Sequence, residues 1–121
     1  MKKILLVDDE PNIIMALEYT FKKNNFEVFI ARDGQEALDI LKSNYPDVII
    51  LDVMMPMVDG YATLEHIKKD KNLSHTKVIF LSAKNKTSDI EKGLSLGADA
   101  YLTKPFSVKN VVDKVFELVD E

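Results

Sequence analysis

The sequence of 121 residues contains no cysteine and no tryptophan, and it has only two histidines. The lack of cysteine excludes disulfides, thiolate catalysis and cysteine-ligated metals. The histidines, His66 and His75, are not at metal-ligand spacing, so both are predicted to lie on the surface. No apolar run approaches the length of a membrane span, and the run over residues 4–7 is too short for a signal peptide. These absences lead us to expect a cytoplasmic protein without membrane contact.

The composition is that of one soluble globular domain. Hydrophobic residues make up 46% of the chain and charged residues 30%, with a net charge of −4. No internal repeat, low-complexity tract or linker divides the sequence, so we expect a single domain over residues 1–121. The acidic balance gives no support for direct binding of nucleic acid.

The stretch over residues 47–60 organises the rest of the chain. Its four consecutive apolar residues at 48–51, three of them β-branched, are typical of a strand buried on both faces. Asp52 follows directly, and Pro56 and Gly60 then make the next segment a loop. A carboxylate in this position predicts an acid at the open carboxyl end of a central strand. The alternative is an aspartate that only caps a turn.

Five short apolar runs alternate with helical patterns along the chain. We predict strands near residues 4–7, 28–31, 47–52, 78–81 and 100–103, each followed by a helix. Strictly alternating strands and helices imply an α/β fold with a parallel sheet covered on both faces. The expected architecture is a doubly wound (βα)5 flavodoxin-like fold with strand order 2-1-3-4-5.

Several residues are predicted to begin or end these helices. They are Pro11 in the first helix, the capping-box pairs Asp33 with Glu36 and Ser88 with Glu91, Gly97 after the fourth helix, and Ser107 before the fifth. The fourth helix has the thinnest apolar stripe, with Ile90 and Leu94, so it is expected to be the least firmly packed.

Polar side chains follow the predicted strands where parallel strands end on one edge of the sheet. Asp8 and Asp9 follow strand one and Asp52 follows strand three, on either side of the topological switch point. Ser82 and Lys104 stand at the ends of strands four and five. We therefore expect these five side chains to converge on one site.

Three carboxylates in one crevice repel one another. At about 4 Å and an effective dielectric of about 20, each close pair costs on the order of 4 kcal/mol. A divalent cation would offset this cost, and a donor set of oxygens alone favours Mg²⁺ or Mn²⁺ over zinc. Lys104 adds a positive charge and Ser82 a hydroxyl donor, which together suit a phosphoryl group. Asp52 is then the candidate nucleophile, forming an aspartyl phosphate.

The same residues resemble the receiver domain of a response regulator of the CheY-like kind, over essentially the whole chain. The matching motifs are Asp8-Asp9, Leu51-Asp52-Val53-Met54-Met55-Pro56, Asp59-Gly60, Ser82-Ala83, Gly97-Ala98-Asp99 and Lys104-Pro105-Phe106. The resemblance implies a signalling protein of a two-component system or phosphorelay. Such a protein is not an enzyme in the ordinary sense, since it catalyses only its own phosphorylation and slow autodephosphorylation.

The resemblance also implies roles for individual residues. Asp52 would accept a phosphoryl group from a sensor histidine kinase or phosphotransfer protein. Asp8 or Asp9, Asp52 and the backbone carbonyl of Met54 would bind Mg²⁺. The family's switch hydroxyl and switch aromatic fall on Ser82 and Tyr101, and the bond before Pro105 would be cis. Tyr101 could instead be an ordinary half-buried packing residue.

We expect the switch to change the surface of the fourth helix, fifth strand and fifth helix. Movement of Ser82 towards a phosphoryl group would vacate space into which Tyr101 could turn. That surface is the expected contact for an output domain or a second copy in a homodimer. The sequence fits either a stand-alone receiver or part of a longer regulator.

Three other functions are compatible with this fold class. A flavodoxin-like nucleotide binder needs a phosphate loop rich in glycine, serine or threonine after strand one, where this chain has residues 8–11, Asp-Asp-Glu-Pro. A phosphohydrolase with an aspartyl intermediate would resemble this chain but carry a second acid at the position of Met54. An interaction module with a vestigial site is the third alternative, and phosphorylation by a small donor distinguishes it.

Overall fold

The computed structural model describes residues 1–119, in which five β-strands alternate with five α-helices. The elements are β1 (Lys3–Val7), α1 (Pro11–Lys23), β2 (Glu27–Ala31), α2 (Gly34–Leu41), β3 (Val48–Leu51), α3 (Gly60–Lys69), a 3-10 turn (Lys71–Leu73), β4 (Lys77–Ser82), α4 (Thr87–Ser95), β5 (Ala100–Thr103) and α5 (Val108–Val119). The predicted alternation is confirmed, with strand ends displaced by no more than one residue.

All strands are parallel and form one sheet in the order β2-β1-β3-β4-β5. This is the predicted order, so the doubly wound fold is confirmed. β3 lies in the centre between β1 and β4, and all four of its residues are buried. The carboxyl ends of β1 and β3 are adjacent, with Val7 paired to Leu51. The residues that follow these two strands therefore begin side by side.

Alternate residues of the strands supply two cores, one on each face of the sheet. On one face Leu5, Ile49 and Leu51 pack with residues of α2 and α3. On the other face Ile4 and Ile50 pack with residues of α1 and α5. Burying a side chain of this size contributes about 1.5–3 kcal/mol, so the sheet is a rigid platform for whatever lies at its edge.

Most of the predicted helix ends are confirmed. Pro11 begins α1, Ser107 accepts a hydrogen bond from the Asn110 amide, and Gly97 follows α4 with a φ of +111°. Asp33 caps α2 by accepting from the Glu36 amide at 2.8 Å. The Glu36 carboxylate, however, accepts from the amide of Arg32 rather than that of Asp33.

The prediction of a capping box from Ser88 to Glu91 is wrong. α4 begins at Thr87, and the carboxylate of Asp89 accepts a hydrogen bond from the amide of Lys86. Two overlapping pairs in this segment have the same spacing, because an acid lies three residues after Lys86 and another lies three residues after Ser88. The earlier acid is used because the helix starts one residue before Ser88.

α4 is the most weakly packed helix, as its thin apolar stripe predicted. Its only buried residue is Gly93. A Cβ atom at this position would lie 3.0 Å from ring carbons of both Phe80 and Tyr101. The helix can therefore come close to the sheet at this point because glycine has no side chain.

In the described part of the chain, no helix has the length and apolar character needed to cross a membrane. His66 and His75 are both exposed, as predicted.

Candidate functional site

The fold brings acidic and basic side chains together at the carboxyl edge of the sheet. Asp8 follows β1, Asp52 follows β3 and Lys104 follows β5, while Ser82 ends β4. Asp8 and Asp52 are each only 4% exposed, although both carry carboxylates. The Asp52 amide donates to the carbonyl of Val7 at 3.0 Å, which extends the pairing of β1 and β3 by one residue. The sheet therefore holds the backbone of Asp52 in a fixed position.

Lys104 lies at the centre of the acidic cluster. Its Nζ is 2.9 Å from Glu10 Oε1, 3.0 Å from Asp8 Oδ2 and 3.3 Å from Asp52 Oδ2. Burial acts to lower the pKa of Lys104, but hydrogen bonds to Glu10 and Asp8 and the charge of Asp52 outweigh it and raise the pKa above its ordinary value. Lys104 is therefore a permanent cation that offsets the repulsion among the acids.

Asp8 is a carboxylate removed from water by burial. Burial raises the pKa of the Asp8 carboxyl, against the hydrogen bond from the Glu10 amide and the contact with Lys104, while the charge of Asp52 raises it further. The Glu10 amide donates to Asp8 Oδ1 at 2.9 Å. Three carboxylates surround one lysine in this cluster, so a further cation would stabilise its ionised form.

A metal ion would find oxygen ligands at this position. Asp8, Glu10 and Asp52 each offer a carboxylate oxygen within 4.8 Å of the others. An all-oxygen donor set suits Mg²⁺ or Mn²⁺. Asp9, which the sequence placed with the metal ligands, is exposed and does not belong to this three-carboxylate group. The backbone amide of Met54 donates to Asp52 Oδ1 at 3.3 Å, which keeps the Met54 peptide next to the cluster.

The loop after Asp52 is held against the end of β3 by a close backbone approach. A Cβ atom on Gly60 would collide with the carbonyl oxygen of Asp52 and would lie 2.7 Å from the Cα of Val53. The Gly60 amide donates to the Val53 carbonyl at 2.8 Å. Asp59 caps α3 by accepting from the amide of Ala62 at 2.9 Å. The start of α3 therefore fixes the backbone that carries Asp52.

Ser82 and Tyr101 meet at the segment that joins β4 to α4. The buried Ser82 Oγ accepts a hydrogen bond from the Lys84 amide at 3.2 Å. The half-buried Tyr101 donates its hydroxyl to the Lys84 carbonyl at 2.7 Å, with its ring 5.7 Å from that of Phe80. Burial raises the pKa of Tyr101 to about 12, so the hydroxyl remains a donor at physiological pH. The two side chains expected to act in a switch thus hold the two backbone groups of one residue, Lys84.

The Lys104–Pro105 peptide bond is cis. The Lys104 amide donates to the Ser82 carbonyl at 2.9 Å, which continues the pairing of β4 and β5 beyond its last strand residues. Lys104 therefore leaves the sheet next to Ser82 before its side chain reaches across to Asp52.

Two residues near the site were missed from the sequence. Glu10 contacts Lys104, and the signal available was the third acid in the run that follows strand one. Tyr61 donates its hydroxyl to the Asp89 carbonyl at 3.3 Å, and Lys92 Nζ lies 4.3 Å from the centre of its ring. A tyrosine at the start of an amphipathic helix gives no sign that it will reach a neighbouring helix.

Comparison with known proteins places this site in a family. Residues 4–116 match the family model described as the response regulator receiver domain. The alkaline phosphatase synthesis transcriptional regulatory protein PhoP of Bacillus subtilis is 41% identical over 114 residues, which cover 94% of this chain and 47% of that protein. The chain spans about half the length of the curated relatives it matches.

Solved structures of similar sequence share the whole fold. The receiver domain of the Francisella response regulator 1452 has a TM-score of 0.90 at 38% identity, covering 98% of this chain and 97% of that one. The BeF3-activated DrrB receiver domain has a TM-score of 0.91 at 30% identity, covering 100% and 99%. With a family match over nearly all of its length and the acidic site at the expected edge of the sheet, this chain belongs to the response regulator receiver domains of two-component signalling.

Proposed function

We propose that residues 1–121 form one receiver domain in which Asp52 is the phosphoacceptor. The observation that carries the proposal is the position of its carboxylate, 3.3 Å from Lys104 Nζ at the end of the central strand. A carboxylate oxygen of Asp52 forms a bond to phosphorus as the P–N bond of a phosphohistidine breaks. The electron pair of the broken bond stays on the imidazole nitrogen, and Asp52 becomes a mixed anhydride.

Positive charge around Asp52 makes this transfer feasible. Lys104 can neutralise charge on the phosphoryl oxygens, and the Met54 amide already donates to Asp52 Oδ1. Asp8 and Asp52, with Glu10 nearby, would hold Mg²⁺, and Asp9 and the Met54 carbonyl remain the further ligands that the resemblance implies. When bound, the ion supplies charge neutralisation and orientation for the phosphoryl group.

The family and its relatives support a proposal for the partners. A sensor histidine kinase or a phosphotransfer protein would donate the phosphoryl group. The PhoP protein of Bacillus subtilis, described as a transcriptional regulatory protein, is about twice as long as this chain, so an output domain or a second copy is the proposed recipient of the signal. We propose that α4, β5 and α5 form the responding surface, because the one buried residue of α4 is a glycine, which leaves little side-chain packing to hold the helix.

A small phosphodonor tests the central proposal directly. Incubation with acetyl phosphate and Mg²⁺ should raise the intact mass by one phosphoryl group, in a reaction that a metal chelator prevents. A chain of unchanged mass under these conditions would favour an interaction module with a vestigial site.

Binding of Mg²⁺ should be measurable without phosphorylation. Titration with Mg²⁺ should shift the NMR resonances of Asp8, Asp52 and Val53 and raise the free energy of unfolding, because the unfolded chain does not gather these acids. The affinity should be weak, since few protein ligands hold the ion. Spectra and stability that stay constant up to millimolar Mg²⁺ would contradict the metal site.

The phosphorylated form should be comparatively long-lived. Met54 and Lys84 lie two residues beyond Asp52 and Ser82 and line one cleft next to Asp9. Neither a thioether nor an ammonium group can orient an attacking water as an amide or carboxylate does. We expect Met54→Asn and Lys84→Glu to change the hydrolysis rate, the first by acceleration. Met57→Asn, in the same loop and 80% exposed, is the control. Rates insensitive to substitution at both positions would argue against this assignment.

The switch should be visible as a linked movement of Ser82 and Tyr101. With beryllofluoride on Asp52, we expect the Ser82 hydroxyl to leave the Lys84 amide and the resonances of α4 and β5 to shift. Tyr101→Phe removes the hydrogen bond to the Lys84 carbonyl, worth about 1 kcal/mol, and should reduce the shifts in α4 while leaving those at Val53. Tyr19→Phe, on the exposed face of α1, should leave both the shifts in α4 and those at Val53 unchanged. If Ser82 and Tyr101 keep their resonances while Asp52 carries the mimic, the signal uses another route.

A further inference from the structure

Lys104 is fully engaged before any phosphoryl group arrives. An ammonium group has three N–H donors. Its Nζ donates hydrogen bonds to Glu10 and Asp52 and forms an ion pair with Asp8 at 3.0 Å, so three carboxylates already surround it. A phosphoryl oxygen on Asp52 can therefore pair with Lys104 only if one of these carboxylates gives up its contact.

The three carboxylates differ in what the loss of that contact would cost. Asp52 carries the phosphoryl group, so it stays beside Lys104 in either state. Asp8 is buried, with a side chain only 6% exposed, and it is fixed by the Glu10 amide. The Glu10 side chain is 58% exposed and makes no cap contact with α1, so water can replace Lys104 around its carboxylate at little cost.

From this difference we infer that Glu10 is a positioning residue for Lys104. It holds the ammonium group in the unphosphorylated domain and competes with the phosphoryl group on Asp52 for the same donor. The inference rests on the proposed function of Asp52 and Lys104 and adds a role for a residue outside both the acceptor and the switch. Glu10 would thereby determine how strongly Lys104 pairs with the phosphoryl group on Asp52.

The substitution Glu10→Gln tests this competition. The neutral amide keeps the shape of the side chain but accepts a hydrogen bond from a cation more weakly. At saturating Mg²⁺, the variant should bind beryllofluoride about two- to fivefold more tightly than the parent, a range set by the strength of exposed ion pairs. The Val53 amide resonance reports the titration. Glu18→Gln, which removes the same charge from a pair with Lys22 further along α1, should bind like the parent.

A second measurement follows Glu10 itself. The carboxyl carbon resonance of Glu10 should move when beryllofluoride binds the parent. At the same Mg²⁺ concentration it should move to a similar value in mimic-free Lys104→Ala, because in both conditions Glu10 has lost its contact with Lys104. A Glu10 signal that stays fixed on binding of the mimic overturns the inference, as does Glu10→Gln binding the mimic no more tightly than the parent. Failure of the parent to bind beryllofluoride at all would instead refute the proposed function of Asp52.

Discussion

Replacing Asp52 with asparagine should abolish incorporation of a phosphoryl group from acetyl phosphate. The amide has no anionic oxygen to attack phosphorus, so the expected loss is complete within the sensitivity of intact mass measurement. The fold should survive, because asparagine is nearly the same size and can still accept the hydrogen bond from the Met54 amide. The substitution also removes one negative charge from a buried cluster, so the variant should be at least as stable as the parent.

The matched control is Asp33→Asn, which makes the same chemical change at the N-cap of α2. Asparagine is a good N-cap, so this variant should fold and become phosphorylated like the parent. A phosphoryl group that appears on Asp52→Asn would mean that Asp8 or another carboxylate is the acceptor. Peptide mapping after borohydride reduction would then locate it.

The second large effect is expected at Gly60, through the backbone of the acceptor. In Gly60→Ala the new methyl group would meet the Asp52 carbonyl and the Val53 Cα, which are backbone atoms that cannot rotate away. Overpacking of this kind costs about 1–3 kcal/mol of unfolding free energy. Because Asp52 must shift to relieve the contact, the rate of phosphorylation should fall as well. Urea unfolding and the rate of mass gain with acetyl phosphate measure the two effects.

Gly97→Ala separates the loss of stability from the displacement of the site. Gly97 has a φ of +111°, so alanine there is strained, and the variant should lose about 1–3 kcal/mol. Its new methyl group meets the flexible end of the Lys68 side chain and no residue of the acidic cluster. We expect it to be phosphorylated at the parent's rate. Equal rates for the parent and Gly60→Ala would show that the contact with Asp52 does not position the acceptor.

Much of this architecture can be predicted from the sequence because the strands are buried on both faces. The apolar run at residues 48–51 is too short for a buried helix and too uniform for a half-exposed strand, and five such runs with helices between them leave few topologies. The polar residues that end the strands then meet at one edge by topology alone. Asp8, Asp52, Ser82 and Lys104 could be grouped in this way, and the structure places all four at that edge.

The remaining features depend on side-chain reach, which a sequence pattern does not encode. Lys104 could have paired with any acid near the site, and only the geometry of the segment that enters α1 brings Glu10 to 2.9 Å. The cap of α4 was misassigned because two acids had equivalent spacing, and the choice depends on where the Lys86 backbone turns. The contact of Tyr61 with Asp89 joins two helices whose relative position no local pattern specifies.

The glycine at the only buried position of α4 affects which parts of the domain can open locally in the folded state. β3 can release its amide hydrogens to solvent only when the whole sheet opens, because every one of its residues is buried between two strands. The buried contact of α4 is at Gly93, and tyrosine hydroxyls bond to the carbonyl of Asp89 in the helix and to that of Lys84 just before it. Its amides can therefore exchange through local opening, at rates nearly independent of global stability. The element proposed to carry the signal can thus loosen and re-form many times while the rest of the domain stays folded.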